Sequence, residues 1–196
     1  MVAIVLLYGL YSLERKDYQT YLDFIAKEIK TKKYDQVILC GGFTDPKRPT
    51  ESEASTAKVY LLSQNPSFTS YVLEDQSVTT NQNLEFASRR INKGDKIIVY
   101  CDLCRKAKVI WISLHFLLDL KQEKIYQLLI DFAYQKNPHK DFICQNIKVM
   151  GFDFPNRSKE ELMAQSTASI LDVMATTNPK LEELDVTYRK KDFGLS

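Results

Sequence analysis

Glu74-Asp75-Gln76-Ser77-Val78-Thr79-Thr80-Asn81-Gln82-Asn83 lies between a β-rich run at 69–73 and a segment whose apolar side chains, Leu84, Ala87 and Ile91, recur at helical spacing. The stretch reads as the handover from a strand to a helix, and hydroxyl and amide side chains dominate it. Such a junction presents free backbone N–H groups and the positive end of a helix dipole, a natural seat for an anion. Capping by Thr79 or Thr80, with Gln82 or Asn83 completing the first turn, accounts for part of this polarity. One cap does not need so long a polar run. Ser77, Thr80 and Asn83 are therefore candidates for one wall of a ligand pocket.

Outward from this junction, strand-like and helix-like segments alternate. Residues 2–8 are a continuous apolar run, as expected for a strand covered on both faces. Tyr18, Tyr21, Leu22, Ile25 and Ile29 share one helical stripe. A second strand at 36–40 ends in Gly41-Gly42, and the helix that follows at 52–63 is stopped by Asn65-Pro66. A helix at 80–92 closes at Lys93-Gly94-Asp95, before a fourth strand at 96–101. Length favours a helix for the apolar segment 105–120; another helix at 125–134 and a fifth strand at 147–152 follow. Asn156-Arg157-Ser158 opens a further helix with Leu162, Ser166, Ile170 and Met174 along one face. Asn178-Pro179 then breaks the chain before a charged tail helix, in which 188–191 reads as a solvated basic tip.

Five strands separated by helices predict an α/β fold, a Rossmann-like three-layer sandwich with a mostly parallel five-stranded sheet. We read residues 1–196 as one domain, with 156–196 as a C-terminal helical extension. Ligands of such folds bind beyond the carboxyl ends of the strands. That rule places 8–12, 41–52, 74–83 and 101–105 along one rim.

Charge and composition exclude several classes. The 27 basic and 25 acidic residues leave a net charge of +2, too balanced to suggest the basic face or stripe with which proteins bind nucleic acid in bulk. The most apolar stretch, 109–118, is about half of the ~20 residues that cross a bilayer, so no membrane partner is expected. The first residues lack a basic leader and a small-residue cleavage site. Four cysteines in a chain of this size do not form a disulfide framework, and a cytoplasmic protein is expected.

The loop after the second strand adds chemistry. Gly41 and Gly42 allow positive φ and close approach of a ligand to backbone N–H groups. Lys47 and Arg48 add positive charge, while Glu51 and Glu53 stand at the start of the next helix. The loop is neither a Walker motif nor a dinucleotide fingerprint, because it lacks the required Lys-Ser/Thr and Gly-x-Gly-x-x-Gly.

Taken together, Gly41-Gly42, then Ser52-Glu53-Ala54, then Glu74, Ser77, Thr80 and Asn83 at fixed spacing resemble the YdcF/SanA/ElyC-like family of bacterial domains. The resemblance runs from residue 2 to about 107, and loosely over 149–155. It implies a Rossmann-like α/β domain and a nucleotide or S-adenosylmethionine as ligand or cofactor. Family members usually carry His-x-x-Arg-Ala after the fourth strand. Here Leu103 stands in place of the histidine and Lys106 in place of the arginine, beside Arg105. Acid–base work would then fall to Asp102, Glu74 or Glu53.

Cys101-x-x-Cys104 after a strand, beside Arg105 and Lys106, also fits a redox pair, or a zinc site completed by Cys144 or His139. No metal is expected. The preferred reading is a pocket for a small, phosphate-bearing or nucleotide-like ligand. Gly41, Gly42, Ser77, Thr80, Asn83, Arg105 and Lys106 would bind it, and Glu53, Glu74 and Asp102 would serve any catalysis. A binding module without turnover, and less readily a redox protein, are the alternatives.

Overall fold

The computed structural model describes residues 1–8, 15–133, 142–155 and 157–195. Its first strand, β1 (Val2–Leu6), is buried at every position, as a central strand with two covered faces must be. The chain then forms α1 (Lys16–Thr31), β2 (Gln36–Cys40), α2 (Glu53–Gln64), β3 (Tyr71–Glu74), α3 (Thr80–Ser88) and β4 (Ile97–Asp102). After a short 3-10 turn at Leu103–Arg105 come α4 (Lys106–Phe116), α5 (Gln122–Ala133), β5 (Phe142–Cys144), β6 (Ile147–Phe152), α6 (Lys159–Ala175) and α7 (Pro179–Asp192). Residues 9–12, Tyr134, His139 and Asn156, which carried expectations above, lie outside the described residues.

The strands form one sheet in the order β3-β2-β1-β4-β6-β5, parallel except where β5 pairs antiparallel with β6. This is a mostly parallel α/β sheet, consistent with a Rossmann-like layout, but it has six strands rather than five. The added strand is three residues long and reaches β6 through a tight turn with Gln145 at φ 52°. So short a run, with no Asn-Gly or Gly in its turn, gives no hairpin signal.

Alternation along each strand divides the core between two faces. Ile4, Leu6, Ile38, Val99 and Val149 pack with Leu84 of α3, Val109 and Ile112 of α4, and Ile125 of α5. On the opposite face Ala3, Val5, Val37, Leu39 and Tyr100 meet Tyr21, Leu22 and Ile25 of α1 and Ala54, Ala57 and Leu61 of α2. Complete burial of a side chain such as Leu22 or Ile25 contributes about 1.5–3 kcal/mol. Tyr21 adds a hydrogen bond from its hydroxyl to the Leu6 carbonyl at 3.1 Å, tying α1 to the end of β1.

Successive crossovers run outward from β1 to β3, and the chain then returns to place β4 on the other side of β1. The carboxyl ends of β1 and β4 thus flank a topological switch point, where neighbouring loops diverge and leave a crevice.

The C-terminal hairpin of α6 and α7 packs against α3 and α4. The apolar face expected for α6 points outward instead: Leu162, Ile170 and Met174 are 40%, 63% and 52% exposed. A polar contact sets the rotation of this helix. Asp172 is fully buried and pairs with Lys108 of α4, itself buried. Burial without a partner would cost several kcal/mol for either charge, so the pair fixes which side of α6 faces inward. Beside it Asp185 of α7 pairs with Arg189, and burial pushes the Asp185 carboxyl above its usual range.

Two outcomes follow for unfolding in urea. Gly42→Ala should cost about 1–3 kcal/mol or more, because a Cβ at position 42 would overlap the Ser77 carbonyl oxygen, which belongs to the backbone. Lys108→Met should cost about 3–5 kcal/mol by stranding Asp172, and the double variant Lys108→Met/Asp172→Leu should recover most of that loss.

Candidate functional site

Pairing of Cys40 with Glu74 aligns the ends of β2 and β3, so the two loops that follow emerge side by side. The Gly41 N–H donates to the Glu74 carbonyl at 2.9 Å and extends the ladder by one residue. Neither Gly41 nor Gly42 has a positive φ. Their lack of side chains serves close approach of the protein to itself: a Cβ on Gly41 would lie 2.7 Å from Glu53 Oε2, and one on Gly42 would meet Ser77. With its N–H bound to Glu74, Gly41 has no donor left for a ligand, contrary to the reading of its loop from sequence.

The loop from Glu74 to α3 is held from beneath. Glu74 Oε1 accepts the N–H groups of Gln76 (3.0 Å) and Ser77 (3.1 Å), and Oε2 lies 2.6 Å from Ser77 Oγ. Burial raises the Glu74 carboxyl, against these hydrogen bonds. Ser77 Oγ also lies 2.5 Å from Asn83 Oδ1, so its single proton faces two acceptors. A proton on Glu74, which burial favours, completes a chain from Glu74 through Ser77 to Asn83 and leaves the Asn83 amide N–H groups for other partners.

Thr79 caps α3 by accepting the Gln82 N–H at 3.1 Å, and Gln82 reaches back to the Val78 N–H at 2.9 Å. Helix geometry leaves the first-turn N–H groups of Thr80 and Asn81 without intrahelical acceptors. Thr80 is 7% exposed, and its hydroxyl has no partner among the described residues. It opens onto a cavity of about 210 Å³ that is also lined by Gly41, Gly42, Glu53, Ser77, Asn83 and Arg105. Among the ligand-binding candidates, Lys106 does not line this cavity; neither do the catalytic candidates Glu74 and Asp102. Glu74 holds the loop. Asp102 caps the 3-10 turn through the Cys104 N–H at 3.1 Å and pairs with Arg157.

Arg105 dominates the electrostatics. Its guanidinium lies 4.1 Å from the centre of the Tyr8 ring, and its Nε is buried without a hydrogen-bond partner. Among the described residues no carboxylate forms an ion pair with it. Opposite stands Glu53, 5% exposed, whose Oε1 accepts the Thr44 hydroxyl at 2.5 Å. Burial pushes the Glu53 carboxyl up to about 8, against the hydrogen bond from Thr44 and the charges of Arg105 and Arg15. Burial thus favours its protonated form at neutral pH.

Several lining residues escaped the sequence reading. Arg189 and Phe193 reach the cavity from α7 and its end, and Gln165 from α6. Arg189 belongs to the stretch read as a solvated tip; its i, i+4 pair with Asp185 was the available signal. Thr44 carried none. Tyr8, Arg105 and Gln165 also line a second cavity of about 540 Å³, bounded on its far side by Phe154, Pro155 and Arg157.

The cysteines do not show the chemistry of a redox pair. Burial raises the Cys101 thiol far above its ordinary value, and burial together with Asp102 pushes Cys104 up to about 11. An activated thiolate needs the opposite shift. All four cysteines are free, and no three potential metal ligands gather among the described residues. Nor is any described helix long and apolar enough to cross a membrane.

A stability measurement isolates Glu53. With an unfolded value near 4.5 and a folded one about 8, the neutral carboxyl's contribution is intact below the first and lost as pH rises to the second. Glu53→Gln, which cannot ionise, should therefore gain stability relative to the parent across this window and show a constant difference outside it. A parallel pair of stability–pH curves from chemical denaturation would show that Glu53 is not held neutral.

No protein-family model, curated protein or solved structure matches the chain, so what this site does is read from its own geometry.

Proposed function

We infer that the smaller cavity binds the phosphate group of a small molecule, with the remainder of that molecule in the larger cavity beside it. One observation carries this reading: Arg105, a cation with no carboxylate partner among the described residues, faces the hydroxyl-lined start of α3 across a cavity of about 210 Å³. An anion there would meet Arg105, the Thr80 hydroxyl, the Asn83 amide and the first N–H groups of a helix. Tyr8, Arg105 and Gln165 border both cavities, so a ligand extending past them stays in contact with Arg105.

The family resemblance supports the same reading: of the residues that carry it, Gly41, Gly42, Glu53, Ser77, Thr80 and Asn83 border this cavity, while Ala54 and Glu74 do not. Of the ligand classes it implies, a nucleotide suits the cavity better than S-adenosylmethionine. The sulfonium of the latter is a cation and would face Arg105 and Arg189. Glu53 favours turnover over simple binding. A buried, protonated carboxyl beside a bound phosphate can pass its proton to a departing oxygen, the role of a general acid.

Isothermal titration with inorganic phosphate and with a nucleoside monophosphate tests the assignment. Arg105→Ala should weaken binding of both by about tenfold to a hundredfold, as expected for a charge-assisted hydrogen bond of ~1.5–3 kcal/mol. Asn83→Ala should weaken it by about tenfold or more, while unfolding stability changes by no more than roughly 1 kcal/mol. Unchanged affinity in Arg105→Ala would exclude the cavity as the phosphate site.

A further inference from the structure

Among the described residues, Glu53 is the only carboxyl group that lines the smaller cavity. Around it Ser77, Thr80, Asn83, Arg105 and Arg189 bring hydroxyl, amide and guanidinium groups. Thr44 takes one oxygen of Glu53, and the other, Oε2, has no hydrogen-bond partner among the described residues. Gly41 lies against that oxygen and brings it no side chain. A tetrahedral anion seated against Arg105 would meet these donors together with the carboxyl of Glu53. An anion oxygen turned toward Glu53 faces the lone pairs of a carboxyl oxygen, and two such oxygens repel unless a hydrogen lies between them.

We propose that Glu53 and the bound anion share a single proton, and that this requirement makes the site select phosphate over sulfate. The proposal rests on the phosphate reading above and sharpens it. Either partner can supply the proton. Inorganic phosphate, as hydrogen phosphate, carries one throughout the neutral and alkaline range. Sulfate carries none there and depends on the protein for it. A phosphate monoester, with a second ionisation near 6, behaves as sulfate does at alkaline pH.

Burial holds the Glu53 proton up to about pH 8, so below that value the site has a proton to offer to either anion. Above it, an anion without its own proton must bind against an ionised carboxylate. Other charged or titratable groups stand around Glu53. From α1 and the residue before it come Tyr18, raised well above its usual range by burial, and the cation Arg15. Arg105 follows β4 and Arg189 reaches in from α7, while Asp45, Arg48 and Glu51 come from the loop of Glu53 itself.

Calorimetric titration of the whole chain with sodium phosphate and with sodium sulfate, at constant ionic strength, separates the outcomes. At about pH 7.5, where hydrogen phosphate is the main free species and Glu53 still holds most of its proton, the two anions should bind with affinities within about tenfold of each other. At about pH 9.5 sulfate should weaken by roughly tenfold or more while phosphate stays within about threefold, because each pH unit above the carboxyl's own value costs about tenfold. Glu53→Gln offers an amide N–H at every pH and should abolish the alkaline loss of sulfate. Parallel pH profiles for the two anions in the parent protein, or an alkaline loss of sulfate that survives in Glu53→Gln, would overturn the shared proton and leave the anion site standing. Absence of binding by either anion at both pH values would remove the phosphate reading together with it.

Discussion

The rim of this protein depends on the pairing of Cys40 with Glu74 at the ends of β2 and β3. That register sends two loops out side by side at a spacing too close for side chains, and Gly41-Gly42 is the sequence that permits it. Glu74, the last residue of β3, then turns its carboxyl under the loop and binds the Gln76 and Ser77 N–H groups. The strand end, the loop and the first turn of α3 form one hydrogen-bonded unit. A backbone N–H donates in three of these bonds, which ties the cavity wall to the edge strand from which it grows.

The wall supplied by the C-terminal hairpin is built differently. Gln165, Arg189 and Phe193 arrive on a helical hairpin that turns much of its apolar surface to solvent. What attaches it is polar. Lys108 and Asp172 form a buried pair, Glu182 accepts hydrogen bonds from the Thr79 hydroxyl (2.9 Å) and the Asn81 amide (2.8 Å), and the Asp172 carbonyl accepts another from Asn81 at 2.9 Å. Contacts of this kind are directional, and they define one orientation for the hairpin more sharply than apolar packing would.

Much of the sheet was legible in the sequence because parallel strands buried on both faces read as unbroken apolar runs, as 2–6, 36–40 and 97–101 do. Phe142–Cys144 was not legible, since three residues carry no periodicity. The polar run after β3 pointed to the candidate site because its length exceeded what a helix cap needs. Loop spacing alone cannot separate a residue that lines the cavity from one that holds the loop, and so Glu74 and Thr80 stood on equal terms. The outward stripe of α6 misled for a related reason. Apolar periodicity reports the face most able to be buried, whereas the Lys108–Asp172 pair, between residues 64 positions apart, decides which face is. Arg189 was hidden in the same way, among basic neighbours that point to solvent.

The placement of Arg189 and Phe193 in the cavity has a consequence for how the protein is made. Residues 2–105 supply the sheet end, the glycine loop, the α3 wall and Arg105, and a nascent chain can organise these while its remainder is still being synthesised. The cavity nevertheless stays open on one side until residue 193 has left the ribosome and the hairpin has docked. A growing chain thus carries an incomplete cavity, whose lining is whole only after the hairpin has docked.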